Sequence, residues 1–212
     1  MKKIVLLTGF CFLYLFSAVA QNQKNYTNAE EERKDLFFGV GIKGNIYVNR
    51  NGVHDVDIWK KPSLGGQVFV GKWFNPYLGS RIVLEAGRLN PYFNSMKHKT
   101  EESYFLGRID LLLELTNCFR SYRPDSFYNL MPYIGIGGAH AFNAKKRPDN
   151  RDSFSSPLFG GGLYNTFRLS DKLTAFLDIG MDIVDVLFDG SKGGDKRFNG
   201  ITAGAIGITV KF

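Results

Sequence analysis

The stretch from Gly200 to Phe212 alternates without a break and ends on an aromatic residue. Side chains on a strand alternate sides with period two, so Thr202, Gly204, Ile206, Ile208, Val210 and Phe212 share one face. Ile201, Ala203, Ala205, Gly207, Thr209 and Lys211 share the other. The first face grows steadily more apolar toward the end, and the second stays small or polar. A strand with lipid against one face and a crowded, polar barrel interior against the other needs this pattern.

The same rhythm recurs upstream. In a first strand from Leu36, Phe38, Val40, Ile42, Ile46 and Val48 oppose Phe37, Gly39, Gly41, Lys43, Asn45 and Tyr47. In a second, Leu64, Gly66, Val68 and Val70 oppose Gly65, Gln67, Phe69 and Gly71. The third runs from Leu78 to Leu89, with Ile82, Leu84 and Ala86 opposite Arg81, Val83, Glu85 and Gly87. The fourth is expected from Ser103 to Thr116, with Tyr104, Arg108, Asp110 and Glu114 on its polar face. The fifth spans Tyr133 to Phe142, and the sixth Leu158 to Leu169, where Gly160-Gly161-Gly162 leaves the faces unassigned. In the seventh, Leu173, Ala175, Leu177, Ile179, Met181 and Ile183 oppose Thr174, Phe176, Asp178, Gly180 and Asp182.

Roughly eight strands of this length are each long enough to cross a bilayer when tilted. Their connections alternate between long polar loops and shorter links, two of them tight turns at Asn75-Pro76 and Ser170-Asp171. An even-stranded barrel with both termini on one side gives that rhythm. The expected class is therefore all-β: an antiparallel up-and-down transmembrane β-barrel of about eight strands. A soluble barrel shows the same alternation with its apolar face inward, so charge at mid-strand separates the two. Lys43, Arg81, Glu85, Arg108, Asp110, Glu114, Asp178 and Asp182 form a mixed-sign set that can neutralise itself inside a lumen. Counting along the third and fourth strands places Arg81 near Glu114, and Glu85 near Arg108 or Asp110.

The N-terminus supplies the compartment. Lys2 and Lys3 precede an apolar run, and Ser17-Ala18-Val19-Ala20 offers a peptidase site, so residues 1–20 read as a cleaved signal peptide. Phe10 stands before Cys11 where a lipid-anchor motif needs a small residue. Residues 21–35 are polar and read as a mobile periplasmic tail, leaving 36–212 for the barrel. After cleavage only Cys118 remains, which excludes an intrachain disulfide and any cysteine metal cluster.

With its signal peptide, the Pro132-Tyr133-Ile134-Gly135-Ile136-Gly137-Gly138 segment, the triple glycine and the terminal Phe212, the chain resembles the small outer-membrane barrels of the OmpA and OmpX type, in the porin-like branch common among Bacteroidota. The resemblance implies location in a Gram-negative outer membrane, contact with outer-membrane lipids and lipopolysaccharide, and Phe212 as a signal read by the assembly machinery. OmpA itself continues into a peptidoglycan-binding domain, and the resemblance here stops at the barrel, so tethering to the cell wall by that route is not expected.

The function expected is structural, or the presentation of surface loops to an extracellular ligand, with no catalytic, metal or cofactor site. Lipid A-modifying barrels suggest an enzymatic alternative, which needs a nucleophile beside a histidine. Of His54, His98 and His140, only the last falls on a strand, and it is followed by Ala141-Phe142 rather than by a nearby serine. A narrow solute channel is a second alternative, disfavoured because eight strands leave little open lumen. The basic loop residues are mixed with acids and carry no aromatic stripe, so nucleic acid is not an expected partner.

Overall fold

The structure is a computed structural model that describes residues 36–48, 62–90, 92–93, 98–99, 102–119, 123, 125–142, 152–189 and 198–212. Residues 1–20, read above as a signal peptide, residues 21–35, read as a tail, and most of each long connection lie outside the described residues.

The described residues form ten strands: β1 (Leu36–Val48), β2 (Ser63–Trp73), β3 (Leu78–Leu89), β4 (Tyr92–Phe93), β5 (His98–Lys99), β6 (Glu102–Leu113), β7 (Tyr128–Phe142), β8 (Ser153–Arg168), β9 (Leu173–Asp185) and β10 (Phe198–Lys211). Eight of them close an antiparallel barrel in the order β1-β10-β9-β8-β7-β6-β3-β2, while β4 and β5 form a separate two-stranded hairpin. Closure comes from β1 against β10, where Phe37 faces Lys211 and Val48 faces Gly200. A closed sheet leaves no unpaired edge, which is the condition for crossing lipid with strands. The shortest barrel strand has 11 residues and the longest 16, enough for a tilted crossing.

Burial follows the predicted alternation and gives it a direction. Ile42 is 67 % exposed and Ile136 65 %, whereas Arg81, Glu85 and Arg108 are 1–3 % exposed. The apolar face therefore points out and the charged face in, the reverse of a soluble barrel. No helix among the described residues is long and apolar enough to cross a membrane.

The two tight turns sit at one end. At Phe74–Tyr77, the Asn75 side-chain oxygen accepts hydrogen bonds from the backbone N–H groups of Tyr77 (2.9 Å) and Leu78 (2.8 Å). This is the local mimicry of a backbone turn for which Asn is selected. At the other tight turn, the Leu173 N–H donates to Ser170 Oγ at 3.1 Å.

Several boundaries move. The expected fourth strand overruns: β6 ends at Leu113, and Leu115–Phe119 form a short helix, α1. The partner strand supplies the reason. The β6–β7 ladder ends at Leu112 opposite Tyr133, and the next β7 residue is Pro132, which has no N–H to donate. Beyond that point the Leu130 N–H is met by Thr116 Oγ1 of α1 at 2.8 Å. The fifth and sixth strands both begin five residues earlier than expected, at Tyr128 and Ser153, because β7 and β8 pair continuously from Tyr128–Phe167 to Phe142–Ser153. The triple glycine resolves into faces: Leu158 and Tyr164 are buried on the same side as Gly160 and Gly162, so Gly161 faces out with Phe159 and Leu163.

Candidate functional site

The lumen is filled in three tiers. At the end carrying the short turns, Phe37, Phe69, Trp73, Met131, Tyr164 and Phe176 pack together. Phe69 meets Tyr164 edge-on with centroids 5.8 Å apart and Phe176 at 5.4 Å. At the opposite end, Tyr47, Leu89, Tyr104, Leu106 and Leu158 form a second apolar layer. A 3-10 turn, Val186–Asp189, adds Phe188 to this layer, fully buried.

Between the two lies the charged tier. Arg81 donates through Nε to Asp110 at 2.8 Å and through Nη2 to Asp178 at 2.8 Å. Arg108 donates to Asp110 at 2.6 Å and to Asp182, with Glu85 at 3.9 Å. Lys43 binds Glu85 and lies 3.9 Å from Asp182. Seven of the eight residues singled out in the sequence are thus one connected network drawn from β1, β3, β6 and β9. Glu114 is the exception: it lies one residue past the end of β6, where its N–H donates to Tyr77 O at 2.7 Å. The expected Arg81–Glu114 pair is not formed, because the register sets Arg81 opposite Asp110. Glu85 is set opposite Leu106, which makes Arg108 its diagonal neighbour on the same face of the β3–β6 ladder, 3.9 Å away.

Sequence reasoning missed the aromatic part of this tier. The guanidinium of Arg81 stacks on Tyr133 and Tyr164 at 4.6 Å each and on Phe69 at 5.1 Å, while Tyr133 donates its hydroxyl to Asp178 at 2.9 Å. Arg is suited to this because its planar, weakly hydrated cation can be both forked onto carboxylates and stacked. The glycines were the available signal. A Cβ on Gly135 would collide with Asp110 and Arg108, and one on Gly160 with Asp182 and Arg108, so their absence makes room for the network.

On the outer wall, one polar pair stands out. His140 on β7 and Ser155 on β8 are register partners, with Nδ1 and Oγ 2.8 Å apart. The sequence search for a serine beside His140 looked along the strand and missed the one across it. Among the described residues no carboxylate bonds His140, and its ring stacks on Phe142 at 6.1 Å. No group of three or more potential metal ligands occurs among the described residues.

No protein-family model matches the chain. Two curated proteins of Porphyromonas gingivalis are similar in sequence: outer membrane protein 40, 26% identical over 73% of this chain, and outer membrane protein 41, 23% identical over 71%. The aligned parts cover 43% and 38% of those proteins, so the chain spans less than half the length of the relatives it matches. Among solved structures, Neisserial surface protein A aligns with a TM-score of 0.53 at 11% identity, covering 84% of this chain and 97% of that one. The attachment invasion locus protein Ail of Yersinia pestis, solved with the heparin analogue sucrose octasulfate, aligns with a TM-score of 0.51 at 13% identity, covering 85% and 99%. The outward apolar face, the closed eight-stranded topology and these similarities together make the chain a small β-barrel of the Gram-negative outer membrane, similar to outer membrane proteins 40 and 41 of Porphyromonas.

Proposed function

We propose that this barrel is a sealed, non-enzymatic scaffold that holds its long connections at the cell surface for an anionic extracellular ligand. The observation that carries the reading is the filled lumen. A solute crossing it would have to pass an apolar layer, break a network of ion pairs and then part a cluster of aromatic rings. An eight-stranded barrel has just enough interior for its own side chains. The anionic ligand is supported by sequence: Lys145, Lys146, Arg147 and Arg151 crowd one long connection, and Ail, which shares the fold, takes a sulfated heparin analogue. Planar-bilayer recording of the purified barrel should show no conductance steps, and discrete steps would overturn the sealed scaffold. Binding to immobilised heparin should fall when Lys145, Lys146 and Arg147 are replaced together by glutamine. Unchanged retention would remove the anionic ligand.

The His140–Ser155 pair favours a second reading, hydrolysis of a lipid ester at the outer rim. Against it stands that, among the described residues, no carboxylate orients the imidazole and the nearby backbone N–H groups are engaged in the β7–β8 ladder rather than free for an oxyanion. Comparing lipid A acylation in cells with wild-type protein and with Ser155→Ala distinguishes the readings: a difference supports the enzyme and identity supports the scaffold.

A further inference from the structure

The central tier does not balance its own charge. Its connected ion pairs join Lys43, Arg81 and Arg108 to Glu85, Asp110, Asp178 and Asp182, so three cations face four carboxylates. All seven residues are at most 5 % exposed, and an apolar layer lies at each end of the tier. A buried charge is costly unless it is compensated, and here one negative charge is in surplus.

The hydrogen bonds show where the surplus lies. Asp110 takes bonds from Arg81 and Arg108, Asp178 from Arg81 and the Tyr133 hydroxyl, and Asp182 from Arg108 with Lys43 at 3.9 Å. Glu85 is the least supplied. Its Oε2 binds Lys43, while its Oε1 is buried without a hydrogen bond, with Arg108 Nη2 standing off at 3.9 Å. A second acceptor goes unanswered in the same part of the tier. Asn45, two residues above Lys43 on the inner face of β1, donates through Nδ2 to the Tyr104 hydroxyl at 2.8 Å and leaves Oδ1 buried with no donor. Gly65, opposite Lys43 on β2, keeps this corner open, since a Cβ there would come within 3.2 Å of both Asn45 Nδ2 and the Tyr104 hydroxyl.

No neighbour supplies the missing positive charge. Glu85 is faced by Lys43 from β1, by Tyr104, Arg108 and Asp110 from β6, and by Asp178 and Asp182 from β9, with Arg81 on its own strand. Its register partner on β2 is the uncharged Gln67, and β10 presents only Ala203 and Ala205. Tyr133 of β7 and Tyr164 of β8 lie against Arg81.

We propose that this corner is a binding site for one exchangeable monovalent cation from the surrounding solution, an alkali-metal ion or a proton, held by Glu85 Oε1 and Asn45 Oδ1. One positive charge cancels the surplus and answers both acceptors at once. A divalent ion would replace one surplus charge by another of opposite sign. The site lies in the spanning part of the barrel and stands or falls independently of any ligand of the surface connections.

The test uses the purified full barrel in detergent micelles at neutral pH and constant ionic strength, in sodium chloride or in choline chloride, whose cation is too bulky to enter the tier. Two quantities are read: the midpoint of heat denaturation and the infrared carbonyl band of a neutral carboxylic acid. An alkali-metal occupant raises the wild-type midpoint from choline to sodium, as a ligand of the folded state alone must, and the rise is lost in Glu85→Gln and in Asn45→Leu. A proton leaves the midpoint equal in the two salts and gives the wild type a carboxylic-acid band. Glu85→Gln, with three carboxylates for three cations, loses that band, and Asn45→Leu shifts it because the acid proton has lost its acceptor. A heat-dependent mobility shift in detergent gels identifies the variants that have folded, and either variant suffices. A wild type indifferent to sodium and without a carboxylic-acid band would overturn the proposal. So would a sodium effect or a band that persists unchanged in the folded variants.

Discussion

At the scale of single residues, the central tier is the most exacting part of the molecule. Arg108 is 3 % exposed and holds Asp110 and Asp182 together. Replacing one member of a buried pair leaves its partners charged and dry, which costs about 3–5 kcal/mol. Arg108→Leu should therefore lower the denaturation midpoint in detergent far more than Lys146→Leu in a surface connection. Asp182→Leu added to Arg108→Leu should recover part of the loss, and strict additivity would show the two uncoupled. Cys118 behaves differently because it lies outside the spanning strands. Its thiol donates to Glu114 O at 3.3 Å, and burial followed by the neighbouring Glu114 carboxylate pushes its pKa above the ordinary thiol value. A raised pKa means less thiolate at any given pH, so alkylation of folded protein should be slow at neutral pH and accelerate only above the usual thiol range. Alkylation at neutral pH as fast as that of the denatured chain would contradict this. The charges of the network were legible as mid-strand ionisable residues on the face opposite the apolar one. Of their partners only the nearness of Glu85 to Arg108 was legible, since parity along a strand leaves reach across a lumen open, as the Arg81–Asp178 bond across 97 residues illustrates.

Elements were legible where one face is continuously apolar. The third strand falls at about Leu78 to Leu89 and the seventh begins at Leu173, as expected, because each opens on a tight turn. The fourth ran too far because Leu111, Leu113 and Leu115 keep the period although the neighbouring strand stops donating at Pro132. A strand's end is decided by its partner, and a one-strand pattern does not contain the partner. The seam between β1 and β10 bears on Phe212. Its N–H donates to Leu36 O at 2.9 Å, and its side chain is 76 % exposed at the membrane edge. Removing it loses one backbone hydrogen bond, worth about 1 kcal/mol net, and little packing. Deletion of Phe212 should therefore leave refolding in detergent nearly intact. A fall in folded yield in cells would then reflect recognition during assembly, the role implied by its likeness to other closing residues. Equal yields with and without Phe212 would remove that role.

For the molecule as a whole, orientation follows from asymmetry between the two ends. One end carries both chain termini of the barrel, the Phe74–Tyr77 turn, the Ser170–Asp171 turn and α1. The other carries the four long polar connections, centred in sequence near Asn51, Lys97, Asn150 and Gly194. In outer-membrane barrels short turns face the periplasm and long loops face outward. Inside, an apolar layer at each end flanks the buried ion pairs. Single cysteines at Asn51, Lys97, Asn150 and Gly194, in a Cys118→Ser background, should therefore react with a membrane-impermeant maleimide on intact cells, and one at Asp171 should react only after the outer membrane is breached. Labelling of Asp171 alone on intact cells would invert the barrel. Labelling at both ends would mean that the probe had crossed the membrane, and a control cysteine at Ser170 in lysed cells sets the full signal against which each position is read.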